Sequence, residues 1–318
     1  MWTCSEIRQA ARSRIQLSLW PVVLVTFIYL AIVSLLPSIS YGLNTIMNVS
    51  VQRRFIGFGE LIAFSSLMTG VSSIIGFAQL ILAFLMFNPM FVGYNRYLGS
   101  VKQKSNDIGS GVRSLFWAFR EGRFSGVVSG TAWKQLWMMI WSLGVSMVVV
   151  VPTVIIFGVM IISAFSGFGI QSNHNDLFDV GTDIFRRTIV WLVVILIYVI
   201  VAGVAVGAVL LNRKYAYLFT EFILAERTDM PAKAAIDLSK QMTRGMKMDL
   251  FVLDLSFIGW YILSALTLFI LQLWVFPYQR AAYLEVYNRR KAEIGVIMNP
   301  SVQQAEEIGQ TEMNGVQG

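Results

Sequence analysis

The feature that most restricts this chain is where it carries no charge. Five windows, 15–52, 61–95, 135–175, 188–212 and 255–279, contain no Asp, Glu, Lys or Arg, and together they make up just over half of the 318 residues. The 25 basic and 18 acidic side chains crowd into the rest. A hydrocarbon core about 30 Å thick needs about 20 residues of apolar helix, and each window is long enough. With 56% of residues apolar and 14% charged, the charge density is about half that of an ordinary soluble domain. The expected fold is all-α, a polytopic membrane helix bundle. A soluble enzyme, a disordered chain and a secreted disulfide scaffold are excluded.

The net charge of +7 does not point to nucleic acid, because the basic residues lie beside apolar stretches, where they orient spans against anionic headgroups. The single cysteine, Cys4, excludes an intramolecular disulfide and any multi-cysteine site, and it lies on what reads as the reducing, cytosolic side. Arg8, Arg12 and Arg14 followed by the apolar run Trp20–Leu36 have the outline of a signal peptide. The run is long for one and lacks an Ala-x-Ala exit, so it reads as an uncleaved anchor. No lipidation signal is recognisable.

Spans are expected at 19–38, 66–92, 136–163 and 187–211. The segment from 250 to 288 reads either as one helix, Leu250–Phe276, or as a hairpin of two short helices, 250–266 and 268–287, turning near Thr267 and Leu268. Lys and Arg resist translocation, so their distribution weighs between these. The successive polar segments carry three, two, seven, two, seven and four of them. Six spans collect the basic residues on one side more completely than five, and both termini then lie in the cytosol. Six is the preferred count and five the alternative. Trp20, Trp133, Trp137, Trp141, Trp191, Trp260 and Trp274 fall near span ends and read as an aromatic belt.

Residues 1–291 read as a single membrane domain with two interfacial cytosolic helices. The first covers Gly111–Val128, with Leu115, Phe116, Phe119 and Phe124 opposed to Arg113, Arg120 and Arg123. The second is opened by Asp229 and Pro231 and closed by Gly245. Ala232, Ala235, Ile236, Ser239 and Met242 share one face, and Lys233 and Asp237 pair on the other. Residues 292–318 read as a disordered tail.

The segments MWTCSEIRQAAR followed by LW, then LFWAFREGRF, KYAYLFTEFILAE, AAIDLSKQMTRGMKMDLFVLDLSFIGW and LWVFPYQRAAYLEVY resemble the bacterial domain-of-unknown-function family 975. DLSFIGW and LWVFPY are the most specific. The resemblance implies an integral membrane protein and brings no catalytic residues with it. Two departures stand out. Ala208, Val209, Leu210 and Leu211 replace an Ile-Pro-Gly-Ile stretch, and Leu268, Phe269 and Ile270 replace a Gly-x-Gly turn, which weighs against the hairpin.

Among candidate functional residues, Asp254 is the most informative, a carboxylate five positions after Asp249 in apolar surroundings. It reads either as a proton or cation site or as a residue in the first turns of a helix, held by the helix dipole and by Lys247 or Arg244. Arg213, Lys214, Tyr215 and Tyr217, with Glu221 and Glu226, form either a headgroup or partner grip or a snorkelling collar at a helix exit. Gly203 and Gly207 lie on a small-residue face expected to pack inside the monomer rather than to form a dimer seam. His174, Asp176, Asp179 and Asp183 read as a solvated outer loop rather than a divalent site.

No Gly-x-x-x-x-Gly-Lys-Ser/Thr, His-Glu-x-x-His or Gly-x-Ser-x-Gly is present, and one histidine cannot supply a multi-histidine metal site. No cofactor, metal, catalytic residue or nucleic-acid partner is expected. The first expectation is a non-enzymatic protein of the bacterial cytoplasmic membrane that binds lipid or an apolar small molecule, or serves as membrane subunit or helper of a transport system. The second is a scaffold or assembly factor recruiting a membrane or cytosolic protein through the basic segment 212–249. An intramembrane enzyme using Asp249 and Asp254 comes last, and the oligomeric state is left open.

Overall fold

The computed structural model describes residues 2–53, 58–101, 107–120, 122–169, 177–227 and 230–298, and among them there is no strand. The helices are α1 (Cys4–Gln16), α2 (Leu19–Arg53), α3 (Phe58–Leu82), α4 (Asn88–Ser100), α5 (Ile108–Leu115), α6 (Phe124–Gly169), α7 (Leu177–Ala216), α8 (Thr220–Glu226), α9 (Ala232–Met242), α10 (Lys247–Leu255), α11 (Ile258–Leu266) and α12 (Gln272–Met298). Among the described residues five helical stretches are long and apolar enough to cross a membrane: Leu19–Gly42, Ile62–Ser100, Phe124–Ser163, Phe185–Glu226 and Lys247–Leu266. Several helices run past the edges of the charge-free windows, α4 to Ser100, α6 from Phe124 and α7 from Leu177 to Ala216, because a helix continues into polar sequence until something stops it. His174, Asp176, Asp229 and residues 299–318 lie outside the described residues. Asp179 and Asp183 fall within α7, and α12 runs through 292–298, so helix replaces the start of the expected tail.

Local chemistry explains several boundaries. Thr3 caps α1, its Oγ1 accepting the Glu6 amide at 3.3 Å. Between α3 and α4 the helix widens to a π-turn at Ala83–Phe87, where Pro89 supplies no N–H and its ring would crowd the carbonyl four residues back. The amphipathic segment expected as one helix over 111–128 is broken. Helix α5 ends at Leu115, a 3-10 turn covers Trp117–Phe119, and Gly122 at φ 78° turns the chain into α6. Helix α9 starts after Pro231 and buries Ala235, Ile236, Ser239 and Met242, as its face pattern requires, while Gly245 adopts φ 84° beyond its end. The partner of Asp237 is Lys240 at 2.8 Å rather than Lys233, and that ammonium holds the Asp237 carboxyl below the usual carboxylate range.

The C-terminal apolar segment turns back on itself without a glycine. The Phe269 amide donates to the Ser264 carbonyl at 2.8 Å and the Leu268 amide to the Ala265 carbonyl at 3.2 Å, which is the Schellman closure. It requires left-handed backbone, and Leu268 (φ 50°) and Phe269 (φ 64°) adopt it, at a cost of roughly 1–2 kcal/mol per residue. The missing Gly-x-Gly therefore does not prevent the turn. Trp260 and Trp274 meet across it with ring centroids 5.1 Å apart.

The chain divides into two compact units, one formed by residues up to Lys134 together with Ala216 onward, the other by Gln135–Tyr215. In the first, α12 packs along α1, and both helices bury apolar side chains, Ala281, Ala282 and Val286 on α12 and Ile7, Ala11 and Ile15 on α1, while Tyr287 stacks on Phe222. Helix α4 packs on α5 and α8. Thr26 spends its hydroxyl proton on the Val22 carbonyl at 2.7 Å, so Tyr94 donates to Thr26 at 2.8 Å. In the second unit Tyr198 donates to the Val148 carbonyl at 2.5 Å, joining α7 to α6. The apolar side chains there, such as Val154, Ile162, Val201 and Val204, are mostly exposed.

Gly93 is the tightest point of the first unit, since a Cβ there would lie 2.3 Å from the Ser114 carbonyl oxygen. Backbone cannot yield as a side chain can. Gly93→Ala is therefore expected to force α4 from α5 and destabilise by about 1–3 kcal/mol. Gly203→Ala, where nothing lies within 4 Å of the added carbon, is expected to be neutral or slightly stabilising. Thermal unfolding of the two purified variants tests both; equal melting temperatures would contradict the close α4–α5 approach.

Candidate functional site

The ends of the long apolar helices are where polar side chains of the first unit converge. Arg14 ends α1 just before the apolar start of α2, and it is only 3% exposed. Its Nε donates to Glu285 of α12 at 2.8 Å, and Nη1 donates to the carbonyls of Leu98 and Gly99 at 3.1 and 3.3 Å. One guanidinium thereby ties α1, α12 and the end of α4. A second cluster centres on Glu221 of α8, which is 8% exposed. Lys134 reaches it at 2.5 Å and Arg280 of α12 at 3.5 Å, while the Arg280 guanidinium stacks 4.1 Å over the Phe91 ring.

Between these clusters lies a cavity of about 520 Å³, whose lining includes Arg14, Asn95, Arg96, Glu226, Tyr287 and Lys291. Arg96 donates to the Ala225 carbonyl at 2.7 Å and lies 4.2 Å over the Trp117 ring, which Arg123 approaches to 5.1 Å. Glu226 accepts from Lys291 at 2.6 Å and from the Tyr287 hydroxyl at 3.0 Å. Asn95 is 1% exposed, and neither atom of its amide has a hydrogen-bond partner. Two of the long apolar stretches reach the cavity at their ends, Ser100 and Glu226, and Arg14 in its lining precedes the start of a third by five residues.

Asp254 belongs to a separate polar group. Helix α10 runs Lys247–Leu255, so Asp254 sits in its last turn rather than its first. The helix dipole there opposes a carboxylate, and the compensation comes from α12: the Tyr283 hydroxyl donates to Asp254, and Gln279 Nε2 donates to it at 3.2 Å. Tyr261 completes the group by donating to Gln279 Oε1. Asp249 occupies the first turn of α10 and is exposed, as is Arg244, while Lys247 is half-buried at the helix start.

The basic run at the end of α7 is divided among different surroundings. The Arg213 guanidinium lies 3.7 Å over the Trp141 ring, and Lys214 lies 5.3 Å from the Tyr215 ring centroid. Tyr215 and Tyr217 are buried, the latter approached by Lys240 at 5.8 Å. Among the described residues nothing lies within 4 Å of where a side chain would begin at Gly203 and Gly207. Among the described residues no group of His, Cys, Asp and Glu is arranged to hold a metal ion.

Of the cavity residues, sequence reasoning singled out Glu226 as a site residue, but not Arg14, Asn95, Arg96, Tyr287 or Lys291. Two carried a signal: Arg14 is the last charge before the first charge-free window and Arg96 the first after the second. Asn95 carried none, because a single amide at a helix end is common.

A chain helical throughout its regular described structure, with five helical stretches long and apolar enough to cross a membrane and a charged cavity at the ends of two of them, defines the class. The chain matches the family described as Protein of unknown function (DUF975) over residues 5–293, and it belongs to that family. No curated protein and no solved structure matches it.

The Arg14–Glu285 pair offers a direct test, because its side chains are 4% and 9% exposed. Glu285→Gln strands a buried guanidinium and is expected to destabilise by about 3–5 kcal/mol, whereas the double exchange Arg14→Met with Glu285→Leu removes both charges and is expected to lie much closer to the parent. Thermal unfolding of the three proteins checks this; a double variant as unstable as the single one would mean that the pair is not the main interaction.

Proposed function

We propose that this protein is a non-enzymatic integral membrane protein of the bacterial cytoplasmic membrane that binds lipid and acts as the membrane subunit or helper of a transport system. The observation that carries the lipid reading is the charged cavity lined by Ser100 and Glu226, the ends of two apolar stretches. Such ends are where hydrocarbon gives way to headgroups. A cavity lined by cations and an amide suits the polar part of an amphipathic molecule better than a wholly apolar one. The chain has no nucleotide-binding loop, so its part in transport would be driven by another protein.

The topology we propose has six membrane segments with both termini cytosolic. Four cross completely, and the last two form the hairpin of α10–α11 with the start of α12. From Gln272 to Gln279, before the first charge at Arg280, is about 12 Å of helix, so this arm reaches only partway through the hydrocarbon and returns to the cytosolic side. A second reading, recruitment of a protein partner through 212–249, is supported by the exposed basic face of α9, with Lys233 and Lys240 opposite its buried side.

Native mass spectrometry of the gently extracted protein is expected to show retained lipid adducts, and a lipid-free spectrum would count against the first reading. Exchange of Lys233, Lys240, Arg244 and Lys247 for Glu is expected to leave lipid retention unchanged; loss of a captured protein in that variant would favour the second. For the topology, Leu268→Cys in a Cys4→Ser background is expected to resist an impermeant maleimide applied outside intact cells. Labelling from outside would require full crossings instead.

A further inference from the structure

Three observations at the cavity combine. Among the described residues Arg14 is matched by Glu285 and Lys291 by Glu226, while Arg96 is held by a carbonyl and an aromatic ring, with Arg123 adding positive charge over the same Trp117. Asn95, next to Arg96 in sequence, lines the same cavity with a buried amide whose donor and acceptor both lack partners. Buried amides in native proteins are normally satisfied, so one left open on both sides points to a ligand that supplies both an acceptor and a donor. The cavity is also lined by the ends of two long apolar stretches, Ser100 and Glu226.

We infer that the cavity binds a singly charged phosphodiester whose further arm carries a hydroxyl, the chemistry of a glycerol-type phospholipid headgroup. The phosphodiester oxygens accept from Arg96 and from the Asn95 amide nitrogen, and the hydroxyl donates to the Asn95 oxygen. Its negative charge meets the positive side of the cavity at Arg96. A choline headgroup lacks the donor and adds a cation beside Arg96. This inference rests on the lipid-binding reading above and names the lipid class.

The test uses the full chain in detergent, titrated with phosphatidylglycerol in mixed micelles, with phosphatidylcholine, and with water-soluble glycerophosphoglycerol, for the parent, Asn95→Leu and Arg96→Gln. Phosphatidylglycerol is expected to bind the parent and raise its melting temperature, and phosphatidylcholine to bind at least tenfold more weakly. Asn95→Leu is expected to weaken phosphatidylglycerol at least tenfold while the ligand-free melting temperature stays level or rises, because an unsatisfied amide has been replaced by an apolar group of similar size. That split separates ligand recognition from a folding role, and Arg96→Gln is expected to weaken binding in the same direction. Glycerophosphoglycerol binding as tightly as the lipid, with the same dependence on Asn95, supports the headgroup chemistry and assigns the ligand to a soluble source. Phosphatidylglycerol binding parent and Asn95→Leu equally would overturn the headgroup site and leave lipid binding standing. Binding of the soluble phosphodiester alone would overturn lipid binding and leave the site standing, and binding of neither would overturn both.

Discussion

A charge at the end of an apolar helix has few acceptable surroundings. Removing an ion from water carries an effective penalty of several kcal/mol, returned only where an opposite charge and further hydrogen bonds are in place. In this protein most of the returns come from one helix. Glu285 of α12 meets Arg14, Arg280 joins Lys134 on Glu221, Tyr283 and Gln279 serve Asp254, and Tyr287 helps hold Glu226. Helix α12 is among the least apolar of the long helices, and the first unit is organised around it because the other helices end in charges that need its side chains.

That dependence explains how much was legible beforehand. The charge-free windows located the apolar helices, and their edges also marked the residues that pair. Arg14, Arg96, Lys134, Arg213, Asp254 and Arg280 each stand immediately beside a window, and each ends against a carboxylate, an aromatic face, a carbonyl or a hydroxyl donor. Which partner each takes was not legible, because the partners lie up to 271 residues away in the chain. Local periodicity records which face of a helix is apolar and says nothing about which distant helix brings the countercharge.

The other differences between expectation and structure are also local signals overruled. The missing glycine weighed against the preferred hairpin, yet two backbone hydrogen bonds and the Trp260–Trp274 contact hold Leu268 and Phe269 in left-handed geometry. Asp254 suited a helix start on spacing alone, but α10 is only nine residues long, which leaves that carboxylate at the unfavourable end and in need of donors from α12. The face around Gly203 and Gly207 looked like a packing seam, but small residues permit a close approach without requiring one. Trp141, assigned to an aromatic belt, instead carries the Arg213 guanidinium, because a ring near a helix end can serve a cation as well as a headgroup.

Helix α12 also connects the two features on which the functional reading rests. Its first turns form one arm of the apolar hairpin, with Trp274 against Trp260 and Tyr278. Its middle supplies Tyr283 to Asp254, and its later turns supply Tyr287 and Lys291 to the cavity wall. A helix is stiff along its axis, so these groups keep fixed distances from one another: from Trp274 to Lys291 is about 25 Å at 1.5 Å per residue. The apolar tip and the charged cavity therefore cannot be positioned independently. A tip held in hydrocarbon would put the cavity about 25 Å away along the helix axis, farther than the roughly 15 Å of hydrocarbon in one leaflet. On the proposed lipid reading, that spacing would set the charged lining apart from the apolar layer that takes up the tip.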